Sequence, residues 1–596
     1  MKASRDPLPS PWPAMWRLLK IGIKHEPGLL SLSLLLVLLA ALPDALIALW
    51  VKYLGDGILA GNGRLIIIAA LALALSATGT WAIRLISGRV QNRFRDKITI
   101  VLEGHVATLQ AGIPTVAHQE VPVYLDRLAV LRDEIYVLDH MYASALSSAG
   151  WILRLGVTLA LLASIDSRLG LLLLAALPTA LVASWRPAAE HRVLDQVASR
   201  QRLAAHLYQT LINAATAKEV RVLGIGEDLA AKRRQAWEGW YGPVAASRWT
   251  TAFWNALAWA IFAGAFMASV YHFTLVEPTP LGNILLLLTA GARLAAYIGG
   301  TVSEIGYLRG TWMDGAQRLA WLEDYAAGEH EAGKLAAPET LADGIRVEGL
   351  SFAYPGSEKL VLDGIDLHFE PGSVVAIVGE NGAGKSTLVK LLAKLYAPSK
   401  GRILVGGQDL RDLDSASWRG KLSGAFQDFF KFEFKTQHAV GLGDLAKMDD
   451  RPAVERAINE AGADDLLARL PRGLDTQLGA AWPEGVELSF GQWQKLAVAR
   501  GFMRPTPLLL ILDEPTAALD AETESGLFER YAQAARKRRD GRITILISHR
   551  FSTVRIADKI VVLDGSRLVE TGSHAELMAK EGRYADLYRI QAKGYR

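Results

Sequence analysis

The 596-residue sequence contains no cysteine. This excludes disulfides, thiolate zinc sites, iron–sulfur clusters and a cysteine nucleophile. It also has little surplus charge: 65 Lys and Arg against 61 Asp and Glu leave a net +4. No global basic field for gripping nucleic acid exists, and no nucleic-acid partner is expected. Charged residues are scarce at 21 %, against 51 % hydrophobic. That balance is too apolar for a disordered chain and under-charged for a purely soluble one. A signal-peptide pattern is missing as well. Residues 1–26 are polar, contain Trp12 and Trp16, and are followed by no small-residue cleavage site. They read as an interfacial amphipathic segment.

What the chain does have is apolar runs, concentrated in its first half. They predict about six membrane spans, at 28–50, 64–86, 141–163, 169–186, 250–274 and 281–300. A helix needs about 20 apolar residues to cross a bilayer, and soluble helices carry a polar face that these runs lack. Basic residues cluster before the first run (Lys2, Arg5, Arg17, Lys20, Lys24), after the second (Arg84, Arg89, Arg93, Arg95, Lys97) and after the fourth (Arg186, Arg192, Arg200, Arg202). By the positive-inside rule, both termini and the two long connections face the cytoplasm. Those connections, 90–139 and 188–247, have mixed charge and helical periodicity. Segments that long hold structure of their own. Each is expected to be a pair of helical continuations joined by a turn, near 119–125 and 217–224.

One charge is out of place. Arg293 lies about ten residues past Asn283, roughly 15 Å down the sixth span. Facing lipid it would cost at least about 2.5–3.5 kcal/mol. It is expected to contact an anionic or carbonyl-bearing part of a cargo, to pair with Asp44 in the first span, or to snorkel toward the headgroups.

Residues 328–344 have a linker composition, and a second domain, 345–596, follows. There, short β-rich runs alternate with helices, which implies an α/β fold around a parallel sheet. The strand 374–378 runs into Gly379-Glu380-Asn381-Gly382-Ala383-Gly384-Lys385-Ser386-Thr387 and then a helix. This is the phosphate-binding pattern G-x-x-x-x-G-K-[ST] in its strand–loop–helix setting. Glycines let backbone N–H groups curl around phosphate oxygens, and the helix N-terminus adds its positive dipole end. Lys385 is placed to neutralise β- and γ-phosphates, and the Ser386 hydroxyl to hold Mg²⁺. A second apolar strand, 508–512, ends in Asp513, which can reach the Mg²⁺ shell. Glu514 follows and can orient or deprotonate the attacking water. A third, 543–547, ends in Ser548-His549, placing an imidazole at the same sheet edge, where ligands of open α/β sheets bind.

With these motifs in place, the second half resembles the nucleotide-binding domain of ABC transporters, and the whole chain resembles the half-transporters of the ABC exporter (type IV) class. The resemblance implies a six-helix transmembrane bundle (1–327) with long cytoplasmic helical extensions, followed by an α/β P-loop ATPase domain. It implies that Tyr354 stacks on adenine, that Gln427 senses Mg²⁺ in the Q-loop, and that Leu488-Ser489-Phe490-Gly491-Gln492 is the signature, normally L-S-G-G-Q. Ser489 and Gly491 are then expected to face the γ-phosphate of an opposite subunit, and Gln492 to belong to the same ATP-binding set. Asp520 falls in the D-loop, His549 becomes the switch histidine, and 119–125 and 218–224 correspond to coupling helices. Two positions depart from the pattern: Phe490 replaces the first signature glycine, and Pro483 stands where many exporters have a glutamate.

The resemblance implies ATP and Mg²⁺ as cofactors, and a second copy of the chain or a related half-transporter as partner. The expected activity is ATP-driven export of an amphipathic solute, peptide or lipid by alternating access, across a cytoplasmic membrane, with both termini and the ATPase domain cytoplasmic. An exporter-fold importer of a metal–chelator complex and a non-pumping ATP-gated regulator are the alternatives.

Overall fold

The computed structural model describes residues 7–121, 124–125, 127–128, 131, 136–277, 279–308, 312–330, 333–514, 541–548 and 550–594. The chain divides into two compact units: Leu8–Thr108 with Arg127–Leu322, and, in the main, Leu109–Asp126 with Glu323–Arg596.

The first unit is helical. A short helix, Pro11–His25, begins with proline in its first turn, where a missing N–H costs nothing. Its Trp12 and Trp16 are exposed, as an interfacial helix requires. Among the described residues, six helices are long and apolar enough to cross a membrane: Pro27–Leu59, Gly63–Gly112, Leu138–Ala163, Ser167–Arg186, Gly226–Val276 and Leu281–Tyr307. The 50 residues of Gly63–Gly112 rise about 75 Å at 1.5 Å per residue, well beyond a hydrocarbon core of about 30 Å. The 46 residues of Gly226–Tyr271 do the same. The sequence runs near 64–86 and 250–274 are thus the membrane portions of longer helices.

Large apolar side chains such as Ile67, Leu71 and Leu75 point outward. Lipid rather than water is the solvent on that face. The interior is built mainly on the sixth span, where Leu286, Leu287, Ala290, Leu294 and Ile298 pack with Leu162, Leu172 and Phe262. At Gly291 an added Cβ would lie 2.0 Å from Phe266 Cε2. The fifth and sixth helices approach this closely only because glycine stands there. The second predicted turn is a short helix, Ala217–Val222, followed by Gly224 at φ +67°.

Among its described residues, the second unit contains two sheets. Strands β1 (Ile345–Phe352), β2 (Leu362–Phe369), β4 (Lys400–Val405) and β5 (Gln408–Asp409) form an antiparallel sheet in the order β2-β1-β4-β5. The larger sheet has the order β10-β9-β3-β8-β7-β6. Its strands are β3 (Val374–Gly379), β6 (Leu422–Ala425), β7 (Leu509–Asp513), β8 (Ile543–Ile547), β9 (Lys559–Asp564) and β10 (Arg567–Gly572). All its pairs are parallel except the edge pair β9–β10. β7 and β8 are buried along their whole length, as parallel strands covered on both faces must be. Trp493, Leu496 and Phe502 pack one face; Leu388, Leu392 and Trp418 pack the other. Parallel pairing brings the C-terminal ends of β3 and β7 to one edge, which places Gly379 and Asp513 together.

The helix Met313–His330 continues past the start of the expected linker at 328, and β1 begins at Ile345. The first predicted turn, 119–125, contains the end of the helix Ala117–Glu120. It belongs to this second unit.

Candidate nucleotide-binding site

The phosphate loop connects β3 to the helix Lys385–Leu392. Gly382 and Gly384 have φ of +84° and +100°, a region closed to most side chains. A Cβ on Gly384 would also meet Leu362 Cδ2 at 2.6 Å and the Val361 carbonyl oxygen at 2.8 Å. Lys385 Nζ donates to the carbonyls of Gly379 (2.8 Å) and Glu380 (3.0 Å), which parks the ammonium across the loop. Burial pulls its pKa below the ordinary lysine value, opposed by the nearby carboxyls of Glu514 and Asp513.

Asp513 closes β7. Burial pushes its carboxyl up to about 6; a hydrogen bond from Ser386 works against this, and the neighbouring Glu514 and Asp428 work with it. A divalent cation would relieve that clustering of negative charge. Glu514 sits at φ +45°, strained for a non-glycine residue and of a kind that collects at functional sites. Two bonds hold it: its N–H donates to Ile547 O (2.9 Å), and its carbonyl accepts from Gln494 Nε2 (3.0 Å).

A cavity of about 620 Å³ collects Tyr354, Asn381, Gly382, Gly384, Lys385, Ser386, Thr387, Gln427, Asp513 and Glu514. Gly379 and Glu380 form the loop's entry, where Arg583 pairs with Glu380, and Ala383 is buried beneath it. Val361 and Ile547 add apolar wall. Neither carried a chemical signal in the sequence, although Ile547 ends the strand before Ser548. The Tyr354 hydroxyl hydrogen-bonds Thr387 Oγ1 at 3.0 Å. Its ring meets Phe352 and Tyr396 edge-on, with centroids 5.1 and 5.4 Å away.

The signature residues do not line this cavity. Ser489 caps the helix Phe490–Gly501 through a capping box: its Oγ accepts from Gln492 N–H (3.3 Å), and Gln492 Oε1 accepts from Ser489 N–H (2.8 Å). Gly491 lies in the first turn of that helix. Phe490 is 57 % exposed, with its ring 5.3 Å from Phe429. The bulk that replaces glycine is therefore accommodated by an aromatic contact. After Pro483, Glu484 adopts φ +58° and pairs with Arg472. Asp520 and His549 lie outside the described residues.

In the membrane unit, Asp44 is 7 % exposed and receives three arginines. Arg293 Nη1 reaches Oδ1 at 2.7 Å, Arg84 Nη2 reaches Oδ2 at 2.6 Å, and Arg154 Nε reaches Oδ2 at 3.0 Å. Arg293 also donates to the Asp44 carbonyl (2.8 Å) and to the Tyr297 hydroxyl (3.2 Å). The ion pair with Asp44 is thus the geometry that Arg293 adopts. Arg84 and Arg154 were not singled out in the sequence. Arg84 reads there as a topological charge at the end of a span.

The residues of the cavity fit Mg²⁺ and a nucleotide. Hard oxygen donors on Ser386 and Asp513 lie beside a loop that presents backbone N–H groups and an ammonium. The family model described as "ABC transporter" matches residues 362–517. "ATP-dependent lipid A-core flippase" proteins are similar over part of the chain. That of Pseudomonas fluorescens (strain Pf-5) is 44% identical over 247 residues, covering 41% of this chain and 39% of the relative. That of Aromatoleum aromaticum is 39% identical over 312 residues, covering 52% and 50%. The matches span half or less of the length of these relatives. A solved structure, "Structure of a bacterial Atm1-family ABC exporter with ATP bound", superposes with a TM-score of 0.75 at 24% identity, over 96% of this chain and 99% of that one. Residues 362–517 thus match an ABC transporter ATPase domain, and the chain has the fold of the ABC exporter structure on which it superposes, with a membrane unit and a nucleotide-binding unit fused in one polypeptide.

Proposed function

We propose that this protein hydrolyses ATP to drive an amphipathic cargo with an anionic head outward across a cytoplasmic membrane, working as a dimer with its ATPase domain in the cytoplasm. Within the nucleotide cavity, the loop and Lys385 bind the phosphates and Tyr354 stacks on the base; Ser386, Asp513 and Gln427 would hold Mg²⁺, which would supply neutralisation of the charge developing on the phosphates. Glu514 takes the proton of the attacking water. The signature of a second copy, with Ser489, Gly491 and Gln492, completes the site. That role agrees with their position away from the chain's own cavity. ATP binding to the paired state shifts the membrane unit toward an outward-facing arrangement, and hydrolysis resets it.

The observation that carries the cargo chemistry is the cluster at Asp44. Among the described residues, three guanidinium groups on one carboxylate leave two positive charges uncompensated in the membrane unit. Arg84 and Arg154 line a cavity of about 310 Å³ with Ser87, Gln91 and Trp151. The Arg154 side chain is 9 % exposed, whereas those of Arg293 (32 %) and Arg84 (52 %) are accessible. Excess charge at membrane depth is costly, and a phosphate or carboxylate headgroup would balance it with charge-assisted hydrogen bonds. Relatives named as flippases of a lipid agree with an amphipathic cargo.

The test uses the full chain in nanodiscs, with ATPase measured in the presence of dodecyl phosphate or of dodecanol, its uncharged counterpart. Dodecyl phosphate should stimulate and dodecanol should not. Arg84→Ala with Arg293→Ala should cut the stimulation by about tenfold or more, the loss expected for charge-assisted bonds. Equal stimulation by both compounds overturns the anionic head, and absence of any ATPase overturns the pump.

A further inference from the structure

We propose that Glu120 and Tyr396 tie the grip on the nucleotide base to the turn at residues 117–121, with Tyr396 as a positioning residue for Tyr354. The inference rests on the ATP-binding reading above and adds to it a route by which movement of that turn changes base affinity.

The turn is anchored to the nucleotide-binding unit by its main chain. Val116 N–H donates to Leu395 O at 3.2 Å. Arg419 donates through Nη2 to the carbonyls of Pro114 and Lys394 (2.7 Å to the latter), and through Nε to that of Ala393 (3.2 Å). Its side-chain anchor is Glu120. One carboxylate oxygen accepts from Lys390 Nζ at 2.8 Å, and the other accepts from the Tyr396 hydroxyl. Partial burial alone would raise the Glu120 pKa, yet hydrogen bonds from Lys390 and Tyr396 hold it below the ordinary glutamate value. The carboxylate is ionised and fully engaged.

Both partners of Glu120 lead to the base site. Lys390 lies on the phosphate-loop helix, with Nζ 5.7 Å from the Tyr354 ring centroid and 6.0 Å from that of Tyr396. Tyr396 is 5 % exposed. Its ring stands at 89° to Tyr354, 5.4 Å away, and Phe352 touches both rings. Tyr396 thus helps to set the plane of Tyr354, beside Phe352 and the Tyr354–Thr387 hydrogen bond, and Glu120 holds the Tyr396 hydroxyl. An edge-to-face pair of this kind contributes about 2- to 10-fold to an equilibrium constant. By linkage, whatever moves Glu120 changes base affinity, and base binding biases the turn by the same factor.

The experiment separates base from phosphate. Binding of ATP and of inorganic tripolyphosphate, each with Mg²⁺, is measured on the full chain in nanodiscs. The variants are Glu120→Gln, Tyr396→Phe, which deletes only the hydroxyl, and the double variant. Each single variant should weaken ATP about 3- to 10-fold and leave tripolyphosphate within about twofold, since that ligand engages the loop alone. The double variant should be no weaker than the weaker single one, because both act through one contact. Equal weakening of both ligands assigns Glu120 a purely structural role and overturns the proposal. So does unchanged ATP affinity, or an additive double variant. Wild-type protein that binds neither ligand overturns the ATP reading itself.

Discussion

At the scale of single residues, the proposed chemistry depends on two carboxylates that follow each other but live in different surroundings. Asp513 is buried at the end of a strand, hydrogen-bonded to Ser386 and pushed up to about 6. This suits a group whose charge is completed by a cation. Glu514 is turned out of the strand by its left-handed backbone and held there by Ile547 and Gln494. Glu514→Gln keeps that backbone and the phosphate loop, and removes the proton acceptor. Hydrolysis should fall about 10²–10⁴-fold, the usual contribution of a general base, while ATP binding persists and the paired state accumulates. Turnover within about twofold of wild type would remove Glu514 from the mechanism.

At the scale of elements, the phosphate loop depends on where glycine is indispensable. Gly382 has open space around the position of a Cβ, whereas Gly384 faces Leu362 and the Val361 carbonyl at contact distances too short for any side chain. Gly384→Ala combines left-handed strain with that clash, so the loop must open to admit it. ATP binding should weaken about 10- to 100-fold, from a strain of about 1–3 kcal/mol, with the sheet intact by circular dichroism. Unchanged ATP affinity would show that the loop relaxes freely. The signature helix has the opposite logic. Its Ser489–Gln492 capping box is a stable helix start, and the exposed Phe490 leans on Phe429, so the element is preformed before any partner meets it.

At the scale of the whole molecule, one chain carries one phosphate loop and one signature, and the signature residues do not line the cavity at that loop. Proposed sites shared between two chains make a distinctive demand. Ser489→Arg and Lys385→Ala should each abolish hydrolysis alone. In mixed dimers both lesions fall in one site and leave the other intact, so activity should partly return. Verified mixed dimers with no recovery would argue against shared sites.

The local chemistry was legible in the chain alone. The strand–loop–helix around Gly379–Thr387, the carboxylates at the end of an apolar strand and the six apolar runs are contiguous patterns. Local backbone sterics and bilayer thickness constrain such patterns directly. The helices through the second and fifth runs were legible beyond the lipid only as helical periodicity in polar sequence, because hydropathy ends where the lipid ends. What joins distant positions required the tertiary structure. Arg293 reads in the sequence as a charge needing a partner, with Asp44 among the expectations. That Arg84 and Arg154 converge on the same carboxylate follows from packing of four separate spans. Likewise nothing near Glu120 announces Tyr396, 276 residues away. Spacing along the chain sets which face of a helix or strand a residue occupies, whereas only the packing of elements sets which faces meet.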